Sequence, residues 1–251
     1  MRSVLLPGGV MPASLAYADL LIEFGPDVDA RAKELEVYAG DDVPQGYGLD
    51  TEVAGVDRFA DEAGFDRFHL VGYSGGGASA LAYAITKPER VRSLTLSEPA
   101  YCGVAGRSDE EAAASDAVLA TARLSPEEML PAFVRTQLAE GVPPPQPPAG
   151  PPPPWMASRP AGILAFTKAF DRFPFPEERF RAFEQPVLFV LGGRSNPDLY
   201  GRMGRRLGDF FPDFRMEVFE DRHHFDPPHR AEPQRYAQLL EDHWRRAEET
   251  A

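Results

Sequence analysis

The sequence predicts an α/β fold, a mostly parallel sheet flanked by helices. Three observations carry this. Short apolar runs alternate with segments of helical period along most of the chain. One such run, Phe68-His69-Leu70-Val71, passes through a glycine-rich turn directly into an alanine-rich stretch at 78–84. Finally, 251 residues with 43% hydrophobic and 26% charged side chains suit one sizeable core with an insertion.

Taken in order, residues 4–6 read as a buried strand ended by Pro7-Gly8-Gly9. Apolar residues at helical spacing over 15–24 predict a helix stopped by Gly25-Pro26. Residues 35–38 read as a second short strand. Asp50 or Thr51 can cap a helix whose inner face is Val53, Val56, Phe59, Ala60 and Ala63, with Gly64 at its end. The strand at 68–71, its turn and its helix follow, closed by Lys87-Pro88. Further strands are expected at 91–96, 186–191 and 214–219, with helices at 199–207 and 233–244. Strands regularly separated by helices imply right-handed crossovers and a sheet covered on both faces.

Residues 102–183 interrupt this rhythm. Ser125-Pro126-Glu127-Glu128 has the form of a capping box with proline at the first helical position, which predicts a helix running toward Gly141. The stretch from Pro143 to Pro154 is too rich in proline for helix or central strand and should be extended polyproline II. It reads as a stiff connector rather than a docking site for proline-binding modules. Trp155-Met156 and residues 162–170 are apolar enough to pack down. The expected organisation is a core of residues 1–101 and 184–251, with 102–183 as a helical, proline-rich cap over the serine turn.

A formal net charge of −13 without a dense basic cluster excludes nucleic acid and anionic membranes as expected partners, leaving a small molecule. Cys102 is the single cysteine, so no intrachain disulfide can form, and it reads as a core residue rather than a catalytic thiol. The N-terminal apolar stretch is too short for a signal peptide, and nothing approaches the ~20 apolar residues of a membrane span. A soluble cytoplasmic protein is expected. No metal or other cofactor is expected either: there is no Cys/His cluster, and adjacent His223 and His224 have poor geometry for chelation.

Gly72-Tyr73-Ser74-Gly75-Gly76 between a strand and a helix is the arrangement that presents a serine oxygen as a nucleophile. Bulky side chains at the flanking positions would clash with neighbouring elements. A serine hydroxyl needs a base to take its proton. Among the five histidines, His69 lies in the strand leading into the turn, too near to fold back onto Ser74. His243 reads as a surface or packing residue of the last helix, and His229 as surface. His223 and His224 lie in the loop after the last strand, and spacing alone does not separate them.

These features together resemble the α/β-hydrolase superfamily over nearly the whole chain. They are the Gly-Gly loop after the first strand, the Gly72–Gly76 elbow, an insertion after the next strand, and a late histidine before the final helix. A departure from the pattern is expected at the first strand, which starts the sequence without the usual antiparallel hairpin before it. Pro7-Gly8-Gly9 also replaces the frequent His-Gly pair, and no aspartate stands at the usual place after the penultimate strand. The resemblance implies Ser74 as nucleophile and His224, followed by an apolar residue and prolines, as base, with His223 as the alternative. For the acid, the usual position holds Asn196, which cannot balance an imidazolium charge. Glu98, at a strand's carboxyl end, is preferred, with Asp198 as alternative. Oxyanion donors would be the N–H of Gly75 and that of Gly9 or Val10.

Met11, Tyr73, Trp155 and Met156 are the expected substrate contacts, with Phe166 and Phe170 also in the cap. Their apolar character points to a small or medium neutral ester or related carbonyl compound. Serine rather than aspartate at position 74 argues against a dehalogenase or epoxide hydrolase. Carbon–carbon hydrolysis, lactone opening, perhydrolysis, a lyase reaction or a ligand-binding module are the alternatives. The sequence leaves the oligomeric state open.

Overall fold

In the computed structural model, which describes residues 1–146, 150–170 and 172–249, one six-stranded sheet runs through the molecule. Its strands are β1 (Arg2–Leu6), β2 (Asp29–Ala32), β3 (Phe68–Tyr73), β4 (Val91–Ser97), β5 (Val187–Gly192) and β6 (Phe214–Phe219). They pair in the order β2-β1-β3-β4-β5-β6, and every pairing is parallel. The chain moves outward from β1 to β2 and then crosses to β3 on the other side. The carboxyl ends of β1 and β3 therefore flank the switch point at which open α/β sheets bind their ligands.

Because side chains alternate along a strand, the sheet divides its apolar residues between two cores. Val4, Leu6, Leu70, Val187 and Phe189 face one side. There α3 (Leu49–Glu62), α4 (Gly75–Thr86) and α9 (Arg202–Phe210) pack on them. Leu5, Val71, Leu188 and Val190 face the other, covered by α1 (Ala13–Ala16), α2 (Ala18–Leu21) and α11 (Pro233–Glu249). Gly64, with φ 70°, ends the turn after α3 as its position predicts.

Two expected elements differ. The single helix over 15–24 is two short ones, broken at Tyr17 (φ −112°, ψ 7°), whose hydroxyl donates to the Leu6 carbonyl at 2.8 Å. Residues 35–38 form no strand. Their apolar pattern belongs to a 3₁₀ turn, Glu36–Tyr38, whose Glu36 and Val37 amides donate to the buried Glu52 carboxylate at 3.0 and 3.1 Å. The second strand is the half-exposed Asp29–Ala32, which pairs only with β1 and carries no apolar run to reveal it.

Between β4 and β5 lie α5 (Asp109–Ala120), α6 (Pro126–Thr136), α7 (Arg159–Phe170) and α8 (Glu177–Arg181). The α6 helix stops short of Gly141. Beyond its end Leu138 bridges to Ser195, and the Ala139 amide donates to the Arg194 carbonyl at 3.0 Å. Residues 143–146 are irregular, and Pro153 has polyproline II angles (φ −64°, ψ 153°), but Pro154 opens a 3₁₀ turn, Pro154–Ser158. Gly150, with φ 100°, departs from polyproline II, and residues 147–149 lie outside the described residues. The start of the segment is tied to α9 by Arg206. Its guanidinium forms a buried ion pair with Glu111 at 2.6 Å and contacts the Cys102 sulfur at 3.0 Å. Cys102 is buried, and burial pushes its thiol up to about 11, consistent with an inert core residue.

Candidate active site

The turn after β3 is strained, and its neighbours hold it so. Ser74 has φ 52° and ψ −118°, a conformation that non-glycine residues seldom adopt. Its amide donates to the Ser97 carbonyl at 3.1 Å, while its carbonyl accepts from Ala78 at 3.1 Å and Ala100 at 2.8 Å. Glycine is required around it for space. A Cβ on Gly76 would lie 2.3 Å from the Pro7 carbonyl oxygen, and one on Gly72 would lie 2.4 Å from that of Gly76. Strand β1, β3 and the first turn of α4 thus meet without side chains between them, leaving the Ser74 side chain partly exposed at the carboxyl end of the sheet.

His224 and Glu98 complete a line of hydrogen bonds. His224 Nε2 lies 3.1 Å from Ser74 Oγ, and its Nδ1 lies 2.9 Å from Glu98 Oε2. A carboxylate only accepts, so Nδ1 carries the proton and Nε2 presents a lone pair to the serine hydroxyl. Glu98 follows β4 with φ 45°, and its other oxygen accepts the Gly192 amide at 2.8 Å. Both oxygens of this buried carboxylate are therefore used, which fixes its plane. The histidine loop is braced by Arg222, whose guanidinium holds Asp226 at 2.7 Å and Glu232 at 2.8 Å.

Two tyrosines grip the imidazole. Tyr200, in a π turn at Pro197–Gly201, stacks on His224 with ring centroids 4.7 Å apart and planes 9° from parallel. Its hydroxyl donates to Gln137 Oε1 at 2.6 Å and lies 3.3 Å from His224 Nε2. Tyr73 packs its ring 5.1 Å from the imidazole and donates its hydroxyl to the His224 carbonyl. Burial raises both phenols well above the ordinary tyrosine range, so both remain protonated donors. Neither Tyr200 nor Gln137 stands out in the sequence. A tyrosine after a late strand reads as packing, and Gln137 belongs to a helix end in the insertion.

The other predicted residues fall as follows. His223 turns toward its own loop, its Nδ1 accepting the Phe225 amide at 3.2 Å, and burial lowers its affinity for a proton. Asp198 pairs with Arg202 at 2.9 Å on the surface and does not reach His224. His229, expected at the surface, is buried between Tyr17 and Tyr73, each ring 4.9 Å away, and burial pushes it down to about 3. Gly9 adjoins Gly75: its nitrogen would lie 3.5 Å from a Cβ placed there. The Gly9 carbonyl accepts from Tyr38 Oη at 2.6 Å, which anchors the loop that also carries Val10.

Met11 packs against the core on the α11 side of the sheet, and Tyr73 supports His224, so both have structural contacts. From the insertion, Phe166 would come within 3.6 Å of a Cβ on Gly75, and Ile163 within 3.7 Å of one on Gly9. Trp155 and Met156 are partly buried in the turn before α7, with the Arg159 guanidinium 5.6 Å from the Trp155 ring. Among the described residues no group of three His, Cys, Asp or Glu side chains could hold a metal ion, and no helix is long and apolar enough to cross a membrane.

A family model described as the alpha/beta hydrolase family matches residues 4–239. The fold is similar to that of an esterase from Exiguobacterium antarcticum, at 17% identity and TM-score 0.71, covering 98% of this chain and 92% of that one. A membrane phospholipase A described as a bacterial virulence factor aligns at 20% identity and TM-score 0.70, over 98% of this chain and 79% of that one. A meta-cleavage product hydrolase aligns at 18% identity and TM-score 0.65, over 98% and 92% of the two chains. At these identities the likeness is one of fold. No protein of curated function matches the sequence.

Proposed function

This chain belongs to the alpha/beta hydrolase family, and we propose that it is a serine hydrolase acting on a small or medium carboxylic ester through an acyl-enzyme. The observation that carries this reading is the hydrogen-bonded line Ser74–His224–Glu98, with spacings of 3.1 and 2.9 Å. Ser74 Oγ attacks the ester carbonyl carbon as its proton passes to His224 Nε2. Glu98 holds the Nδ1 tautomer and offsets the imidazolium charge. The carbonyl oxygen becomes an oxyanion, received by the Gly75 amide at the N-terminus of α4 and by that of Gly9 or Val10. His224 then gives its proton to the leaving alkoxide as the carbon–oxygen bond breaks. Water, deprotonated by the same nitrogen, attacks the acyl carbon; as the Ser74 Oγ–acyl bond breaks, that proton passes to Ser74 Oγ and the carboxylic acid leaves.

Residues 102–183 act as a cap, with Phe166 and Ile163 over the two glycine loops offering an apolar wall to the acyl group. A neutral, apolar acyl part fits such a lining. Trp155 and Met156 stand farther along the same segment as candidate contacts. The buried lone Cys102 and the absence of any other cysteine from the sequence agree with a cytoplasmic enzyme. The direct test is labelling with a fluorophosphonate probe. The parent protein should be labelled, and Ser74→Ala should not; an unlabelled parent would remove the nucleophile from this reading.

A further inference from the structure

The loop between β1 and α1 holds two adjacent glycines, Gly8 and Gly9, the residue type with the least conformational preference. An oxyanion donor on such a loop is aimed correctly only if its neighbours are held. Two anchors hold it. The Pro7 carbonyl accepts the Gly76 amide at 3.0 Å, and the Gly9 carbonyl accepts the Tyr38 hydroxyl at 2.6 Å. The Gly9 N–H lies between these two carbonyls along the chain. Its nitrogen would be 3.5 Å from a Cβ on Gly75, whose amide is the other donor. Tyr38 is well placed to act as an anchor, because it ends a 3₁₀ turn whose Glu36 and Val37 amides are held by Glu52. Burial raises its phenol above the ordinary range by more than the Arg159 charge beside it lowers it, so the hydroxyl keeps its proton to give to Gly9.

The Tyr38 ring is itself seated by α7 of the insertion. The Arg159 guanidinium lies 3.8 Å from the ring centroid, while its ion pair with Glu34 is long, also at 3.8 Å. Arg159 is 4% exposed, and its Nε and Nη1 make no hydrogen bond, so the ring's negative face is its close partner. Three residues on, Gly162 leaves room for the same ring: a Cβ there would lie 2.0 Å from Tyr38 Cε1. Glycine inside a helix is unfavourable, and here it is what lets α7 approach the tyrosine. The geometry points to Tyr38 as the positioning residue of the oxyanion loop: seated by Arg159 and Gly162, it holds the Gly9 carbonyl and so fixes the direction in which the Gly9 N–H is offered. The assignment rests on the serine hydrolase reading. Held at its carbonyl, Gly9 cannot rotate freely about its Cα–C bond, and the Gly8–Gly9 peptide between the two anchored carbonyls cannot turn over. As Ser74 Oγ bonds to the ester carbon, the carbonyl electron pair moves onto oxygen and meets an N–H already aimed. Docking of the insertion therefore bears on the chemical step as well as on substrate binding.

The test separates loop geometry from packing. Tyr38→Phe keeps the ring, and with it the Arg159 and Gly162 contacts, and removes only the hydroxyl. It should lower kcat for a short-chain ester about tenfold with KM within about twofold, a smaller loss than deleting an oxyanion donor outright. A trifluoromethyl ketone reports the oxyanion directly, because Ser74 Oγ adds to its carbonyl carbon, the serine proton passes to His224 and the charge settles on oxygen. Its inhibition constant should rise by the same factor, about tenfold, while that of the matching methyl ketone stays within about twofold. A kcat within about twofold of the parent, or equal weakening of both ketones, would overturn the assignment. Gly162→Ala tests the seat. Alone it should lower kcat comparably, but in the Tyr38→Phe background it should add less than about twofold, since the hydroxyl through which it acts is gone. Losses that multiply would disconnect α7 from the loop. Fluorophosphonate labelling keeps the two readings apart: a labelled parent with an unaffected Tyr38→Phe sinks only the tyrosine's role, whereas a parent that is never labelled sinks the hydrolase.

Discussion

Two serine–histidine–glutamate groupings lie at opposite ends of the same pair of strands. At the carboxyl end, His224 joins Ser74 and Glu98. Near the start of β3 and β4, His69 Nδ1 lies 2.9 Å from Ser93 Oγ, and its Nε2 lies 3.4 Å from Glu248. The residue types agree, yet the settings are opposite. Ser93 stands within β4, paired with His69 next to a register shift in the ladder and 0% exposed, so no substrate can reach it. Ser74 is lifted out of the strand by a strained turn, and two glycine loops lie beside it. The carboxylates also trade places: Glu98 is buried and held on both oxygens, whereas the Glu248 side chain is 42% exposed and its contact is long. With so little compensation, burial holds His69 down to about 3, and the ring stacks neutral on Trp244. Composition alone does not separate the two; access, backbone strain and a buried counter-charge do.

The sharpest way to break this comparison is to truncate each serine. Ser74→Ala should lower kcat/KM for a short-chain ester by roughly 10⁴-fold or more, while Ser93→Ala changes it little. Equal losses would mean that fold damage, not chemistry, was being measured. The carboxylates come next. Glu98→Gln should lower kcat by on the order of 10³-fold, because the imidazolium loses its counter-charge. Asp198→Asn and Glu248→Gln should each leave it within about threefold, as expected for exposed ion pairs. A large effect at Asp198 would transfer the acid's role to that residue.

The smallest effect lies in stability. Burial pushes His69 and His229 down to about 3 and His243 to about 4, from an ordinary value of 6.5. The unfolded chain takes up these protons first, so folded-state stability is complete above about pH 6.5 and declines as pH falls toward 3–4. His69→Asn keeps a polar atom for Ser93 but removes one of those protons. The slope of unfolding free energy against pH between about 4 and 6.5 should then flatten by about 1.4 kcal/mol per pH unit. Denaturant titrations across that range give the slope directly; an unaltered slope would mean that His69 titrates alike in both states.

Legibility from sequence followed the range of the interaction concerned. The elbow was readable because strand, glycines and helix are contiguous from Phe68 to Thr86. Glu98 and His224, 126 positions apart, were singled out through the family pattern, and the fold brings His224 to Ser74 and Glu98 to His224. His223 and His224 were inseparable by spacing, since one peptide unit decides which ring turns inward. The strand expected at 35–38 failed because Glu36 and Val37 give their amides to Glu52 rather than to a neighbouring strand. His229 was misplaced at the surface because its burial depends on Tyr17 and Tyr73, both remote in sequence.

The order of residues by itself determined an alternating α/β chain, a serine at a glycine-flanked bend, and an interruption between two strands, because periodicity and local sterics act over a few residues. Tertiary structure alone decided which histidine nitrogen meets that serine, which carboxylate backs it, and that Tyr200 and Gln137 stand at the same ring. Those contacts join segments that meet only when the parallel strands bring their carboxyl ends together. Their hydrogen-bond directions follow from each neighbour's remaining donors and acceptors, a property of the assembled site that no local pattern encodes.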